Sequence, residues 1–187
     1  MKARVFIITV LLAGPGFGLA GGQGYYRGGG GYNPLTGGYS EWSSSYDQYT
    51  GRGREFRYSS NPYTGRSGSS ETNYNPYTNS YSHSAEMSNE YTGRSFGRSS
   101  SYSPSAGYSR SCYGYNSYTG ASYSDSRSYN PYTGHGSSSH SYNNPYTGWS
   151  GSGQTTYNPY KNTYSRWAEA SNPLSGSWYR RSDTYYR

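Results

Sequence analysis

The chain has 187 residues, a formal net charge of +7, and 28 tyrosines in a composition only 30% hydrophobic. Beyond Ala20 it holds no Val or Ile, Leu only at Leu35 and Leu174, and Met only at Met87. A domain of this size normally buries a large aliphatic core. An ordinary globular fold is therefore excluded, which leaves thin sheets packed through aromatic side chains or a chain too polar to fold.

In chain order, Lys2 and Arg4 precede an apolar run from Val5 to Ala13, then Pro15 and the small-residue end Gly18-Leu19-Ala20. This layout predicts a secretory signal peptide over 1–20. The run is too short to span a bilayer, and no later segment is apolar enough to do so. The chain is expected outside the cell or at its surface. Removing Lys2 and Arg4 leaves 14 basic residues against nine acidic ones, a charge of +5, with Lys161 the only lysine. Arginine stacks on aromatic faces. Such a chain suits glycans, anionic polysaccharide or an anionic surface, and the leader argues against nucleic acid as a partner.

Residues 21–31 form a Gly-rich lead-in with the composition of a flexible linker. Eleven repeats then run over 32–176, and a basic aromatic tail closes the chain over 177–187. Each repeat carries a pentapeptide, intact as Asn-Pro-Tyr-Thr-Gly at Asn61–Gly65, Asn130–Gly134 and Asn144–Gly148. Degenerate copies start at Asn33, Asp47, Asn75, Asn89, Ser103, Asn116, Asn158 and Asn172, at 14-residue intervals except one of 13 after Ser103. A fixed period means one small unit used many times.

The pentapeptide is turn chemistry. The Asn side chain bonds the backbone two residues on, Pro presets φ, and Gly supplies the left-handed position. Asn61, Pro62, Gly65, Asn130, Pro131, Gly134, Asn144, Pro145 and Gly148 are the turn-forming candidates, and Tyr63, Tyr132 and Tyr146 the candidates for aromatic packing. Between turns the residues alternate. Ser122, Ser124, Ser126 and Ser128 fall on one side, and Tyr123, Asp125, Arg127 and Tyr129 on the other. Ser95, Gly97, Ser99 and Ser101 likewise oppose Arg94, Phe96, Arg98 and Tyr102. Period two is the strand signature. Only Ala168-Glu169-Ala170 has helix-friendly composition.

These features predict an all-β fold of repetitive strand–turn units, with an antiparallel meander of about ten strands favoured. The alternatives are a β-solenoid, which would stack the turn tyrosines in one ladder, and an extended, disordered chain. A solenoid rung would need two turns, and each repeat signals one. The 13-residue repeat would flip every later side chain unless an altered loop or a bulge absorbs the loss.

No catalytic constellation is present. Ser, His and Asp occur without a scaffold for a preorganised pocket, so an enzyme is not expected, nor a cofactor. His135 and His140 are five residues apart, on opposite faces of a strand, and with His83 they form no metal motif. Cys112, the only cysteine, is a candidate for a bridge between chains or else incidental. The N-glycosylation sequon is absent. Thr64, Thr133 and Thr147 are candidate O-glycosylation acceptors, evenly placed in the intact turns.

The repeated Tyr-Asn-Pro-Tyr-Thr-Gly run, followed by Ser/Thr/Gly-rich strands, resembles exported bacterial repeat proteins with Asn-Pro-x-Thr-Gly turns. The composition is similar to Gly/Tyr/Ser-rich extracellular fibre and matrix proteins. The resemblance covers 32–176 and implies an extracellular structural role with no active site. The expected function is a secreted structural protein that assembles with copies of itself into a fibre or matrix. The alternative is an adhesive coat protein that binds polysaccharide or a cell surface.

Overall fold

A computed structural model describes residues 24–186; the expected leader lies outside them. Within these residues the chain is all-β. The first six strands are β1 (Gly24–Asn33), β2 (Gly38–Asp47), β3 (Gly53–Asn61), β4 (Arg66–Asn75), β5 (Ser80–Asn89) and β6 (Arg94–Ser103). The second six are β7 (Gly107–Asn116), β8 (Ser122–Tyr129), β9 (Gly136–Asn144), β10 (Trp149–Asn158), β11 (Thr163–Asn172) and β12 (Ser177–Tyr186). They form one sheet in strict chain order, β1 to β12, and successive strands pair antiparallel. This is an open meander, with β1 and β12 at its two edges. Twelve strands stand where about ten were expected, because the Gly-rich lead-in and the C-terminal tail each form a full edge strand. Pairing with β2 and β11 overrides the loop-like composition of those segments.

All eleven turns fall on the pentapeptide copies. In every one the side-chain oxygen of the first residue accepts a bond from a backbone N–H two or three residues on, from Leu35 onto Asn33 to Leu174 onto Asn172. In every one the fifth residue has a positive φ, from 45° at Asn79 to 80° at Gly107. Nine of these are Gly and two are Asn, the residues that occupy left-handed backbone at least cost.

The repeat that lacks one residue keeps the sheet in register by shortening its loop. Asn33 pairs with Gly38 across four residues, whereas Ser103 pairs with Gly107 across three. Gly107 ends this three-residue loop in left-handed backbone. No residue is lost from a strand, so β7 to β12 keep the facing of β1 to β6.

Successive turns point to opposite ends of the sheet. Equal positions of neighbouring repeats therefore do not stack, as they would in a solenoid. The structural unit is a hairpin two repeats long. Turns that share an end lean on each other: Tyr77 Oη donates to the Tyr49 carbonyl at 2.7 Å, Tyr91 Oη to that of Pro62 at 2.5 Å, and Tyr118 Oη to that of Glu90 at 2.6 Å.

The sheet is one layer thick. Among the described residues no hydrophobic side chain is buried. Cross-strand pairs and the backbone ladder hold the sheet, not a core.

Candidate assembly surface

Residues directly opposite in an antiparallel sheet share a face, so the register assigns every strand residue to one of two faces. One face is lined with hydroxyls. Neighbouring strands exchange bonds of 2.7–2.8 Å at Ser67–Ser88, Ser99–Ser111, Ser101–Ser109, Ser124–Ser141, Ser126–Ser139 and Ser128–Ser137. Serine suits these sites because it is short and both donates and accepts. This face also carries Glu41, Glu71, Glu86 and Glu169 against Arg54 and Arg180. It is the more acidic face.

The opposite face is aromatic and basic. One row crosses the whole sheet as Tyr25, Tyr46, Gly53, Tyr74, Tyr81, Tyr102, Tyr108, Tyr129, Gly136, Tyr157, Tyr164 and Tyr185. Ten of these twelve positions are tyrosine. Tyr25 and Tyr46 stack with ring centroids 5.6 Å apart. The end members Tyr25 and Tyr185 are 51% and 53% exposed, against 40% for Tyr102 inside the row. The row lacks a neighbour at each edge. Two residues along the strands lie Arg27, Glu55, Arg110, Arg127, Arg166 and Asp183. Arg57, Arg98 and Arg181 extend this basic zone, offset by Asp125.

The charges on this face are partly paired along single strands. Arg57 meets Glu55 at 2.5 Å, Arg127 meets Asp125 at 3.3 Å and Arg181 meets Asp183 at 2.5 Å. Arg110 stands directly opposite Arg127 and its buried Nε has no partner. On the hydroxyl face, bonds from Asn73 and Arg54 hold the Glu71 carboxyl below its ordinary range, while Tyr39 donates to Glu41 at 2.6 Å and its phenol is pushed up by that bond.

Glycines keep the layer thin by letting rings lie over the backbone. A Cβ on Gly114 would sit 2.2 Å from the Tyr123 ring, and one on Gly97 would sit 2.2 Å from that of Tyr113. Large side chains thus cross onto the neighbouring strand without standing far off the sheet. Burial over Gly114 raises the Tyr123 phenol pKa.

The structure places the sequence candidates as follows. Asn61, Asn130 and Asn144 open their turns, Pro62, Pro131 and Pro145 follow them, and Gly65, Gly134 and Gly148 close them with φ of 64°, 65° and 74°. Tyr63 lies against Gly37 of the preceding turn at its end of the sheet. Tyr132 and Tyr146 are 73% and 83% exposed. The Thr64 and Thr147 hydroxyls donate back to Asn61 and Asn144 on exposed turns, and the Thr133 hydroxyl accepts from His135 N. Cys112 is a half-buried free thiol on the aromatic face, between Arg98 and Asp125. His83 pairs with Thr72, and His140 stands opposite Asp125 in β9, whereas His135 precedes that strand and so has no strand face, its ring lying 5.7 Å from that of Tyr160. Among the described residues no group of three or more metal-binding side chains converges, and no helix is long and apolar enough to cross a membrane.

The tyrosine row was not singled out by the sequence reading, which weighed the turn tyrosines instead. Its signal is a longer period. Tyr46, Tyr74, Tyr102, Tyr129, Tyr157 and Tyr185 recur every 28 residues, with one interval of 27. That is one hairpin, the spacing that returns the chain to the same end of the sheet. No protein-family model, curated protein or solved structure matches the chain.

Proposed function

We propose that this chain is an exported structural protein that polymerises with copies of itself into a fibre or matrix. One observation carries the reading: among the described residues, a twelve-strand sheet one layer thick, with no buried hydrophobic side chain and both faces bare. A sheet with an apolar face normally buries it against another layer. Here the described residues supply no second layer, and other copies are the natural source. Small hydroxyls and flat-lying rings let layers approach, and the two faces carry opposite charge bias, so the basic aromatic face of one copy suits the acidic hydroxyl face of the next. Thr64 and Thr147, exposed on the turns, would carry any O-linked sugar at the rim of the layer, where it does not block stacking.

The test is electron microscopy and fibre diffraction of protein recovered from expression of the full chain. Filaments with a strand spacing of about 4.8 Å are expected. A monomer with a coil-like circular dichroism spectrum at high concentration would remove the reading. The tyrosine row beside the arginines favours a second reading, an adhesive coat on acidic polysaccharide, since aromatic faces stack on sugar rings and arginine pairs with carboxylates. Salt-sensitive binding of monomer to such a polysaccharide, without filaments, would support it.

A further inference from the structure

We infer that growth occurs at the sheet edges, head to tail, with β12 of one copy pairing antiparallel to β1 of the next in a single register. This rests on the self-assembly reading and assigns the contact surface within it.

Both edges are ready templates. Each is ten residues long, in unbroken register with its inner neighbour, without proline or a bulge. Proteins that avoid strand addition blunt such edges with those devices. Strand parity fixes direction. The count of strands is even, so β1 and β12 run oppositely, and a second copy placed beside the first by translation continues the antiparallel meander with the same face outward.

Side chains select the register. Continuing the rows of the sheet across the junction sets Tyr185 against Tyr25 and extends the tyrosine row into the next copy. The same register sets Asp183 against Arg27, an opposite-charge pair on one face. It sets Tyr179 against Gly31 and Arg181 against Gly29, so that long side chains meet the glycine run of β1. That repeats the rule inside the molecule, where Tyr123 faces Gly114 and Tyr142 faces Gly151. A one-residue slip would exchange the two faces. A two-residue slip would break both the tyrosine row and the charge pair. The contact is heterologous and, repeated by translation, does not close, so it yields an open filament. Each copy would add twelve strands, an axial step of about 58 Å at the usual strand spacing.

A charge-swap cycle on the full chain tests this, with assembly followed by light scattering and electron microscopy. Asp183→Arg and Arg27→Asp each set like charges across the junction, and each is expected to slow filament growth about tenfold or more. The double variant restores the pair in reversed order and is expected to recover growth to within about threefold of wild type. Pairing of β12 with β12 would leave Arg27→Asp without effect, and that result overturns the proposal. So does slowing by both single variants without rescue. Normal growth of all variants would keep self-assembly but discard the edge register, whereas a wild-type chain that never assembles discards both. Asp183→Arg also breaks the pair with Arg181 in its own strand, so a second measurement stands beside the cycle. With Cys112→Ser, the pair Arg27→Cys and Asp183→Cys is expected to give a ladder of disulfide-linked oligomers on copper-phenanthroline oxidation of filaments. Filaments without a ladder would overturn the register.

Discussion

Gly65→Ala separates the two ways a turn is held. Gly65 closes the third turn at a φ of 64°, which costs a residue with a Cβ about 1–2 kcal/mol. The added Cβ would also sit 2.9 Å from Tyr91 Cγ, 3.0 Å from Cδ2 and 3.1 Å from the Tyr91 N. The atoms met first are near the root of the ring, so the whole side chain must move. Moving it breaks the bond from Tyr91 Oη to the Pro62 carbonyl, which contributes about 1 kcal/mol net. The expected loss is about 2–3 kcal/mol. Gly176 has the same handedness at 69° with nothing within 4 Å, so Gly176→Ala is expected to cost only the backbone share, about 1–2 kcal/mol. Position in the sheet differs between the two sites, so Gly65→Ala is also made in a Tyr91→Ala background, where the cost should fall toward that backbone share, leaving only the 3.1 Å approach to the backbone N of residue 91. Urea unfolding of dilute protein, followed by circular dichroism, measures all four. A coupling between positions 65 and 91 within about 0.3 kcal/mol of zero would refute the claim that turns at one end support each other.

The Asp47 turn differs from its neighbours in being ionisable. Bonds from Thr50 hold its carboxyl below the ordinary range, so its contribution is present at neutral pH and is lost as pH falls through the folded-state value. Amide protection factors at Tyr49 and Thr50, taken relative to the intrinsic exchange rate at each pH, are expected to fall in acid, and Asp47→Asn, which keeps the capping oxygen, is expected to remove that dependence. Arg110 faces Arg127 with its Nε unbonded, so Arg110→Ser is expected to stabilise the sheet by about 0.5–1 kcal/mol in the same unfolding assay. Ser126→Ala loses a 2.7 Å bond to Ser139 at an exposed site where water replaces it, and a cost below about 1 kcal/mol is expected.

Local chemistry made much of this fold legible. A turn needs one side-chain oxygen, a preset φ and a left-handed residue within five positions, and all three can be read at Asn61–Gly65. Even Ser103–Gly107 keeps the oxygen and the glycine. Strand facing is local too: the alternation over Ser122–Tyr129 assigns the hydroxyl and aromatic faces before any partner strand is known.

What only the tertiary structure decided depends on which strands meet. The Gly28–Gly31 run has loop composition, yet it is a strand because β2 supplies its ladder and Trp42 covers Gly29. The missing residue of the Ser103 repeat could have been taken from a strand or a loop, and the Tyr102–Tyr108 pair shows that the loop gave way. The tyrosine row exists only because alternate turns return to the same end, which brings Tyr74, Tyr81, Tyr102 and Tyr108 side by side. By itself the sequence determined the period, the turns and the facing of each strand, because those are short-range backbone and rotamer preferences. Pairing order and register decided which repeated residues become continuous surfaces, because side chains far apart in sequence become neighbours only after the hairpins have closed.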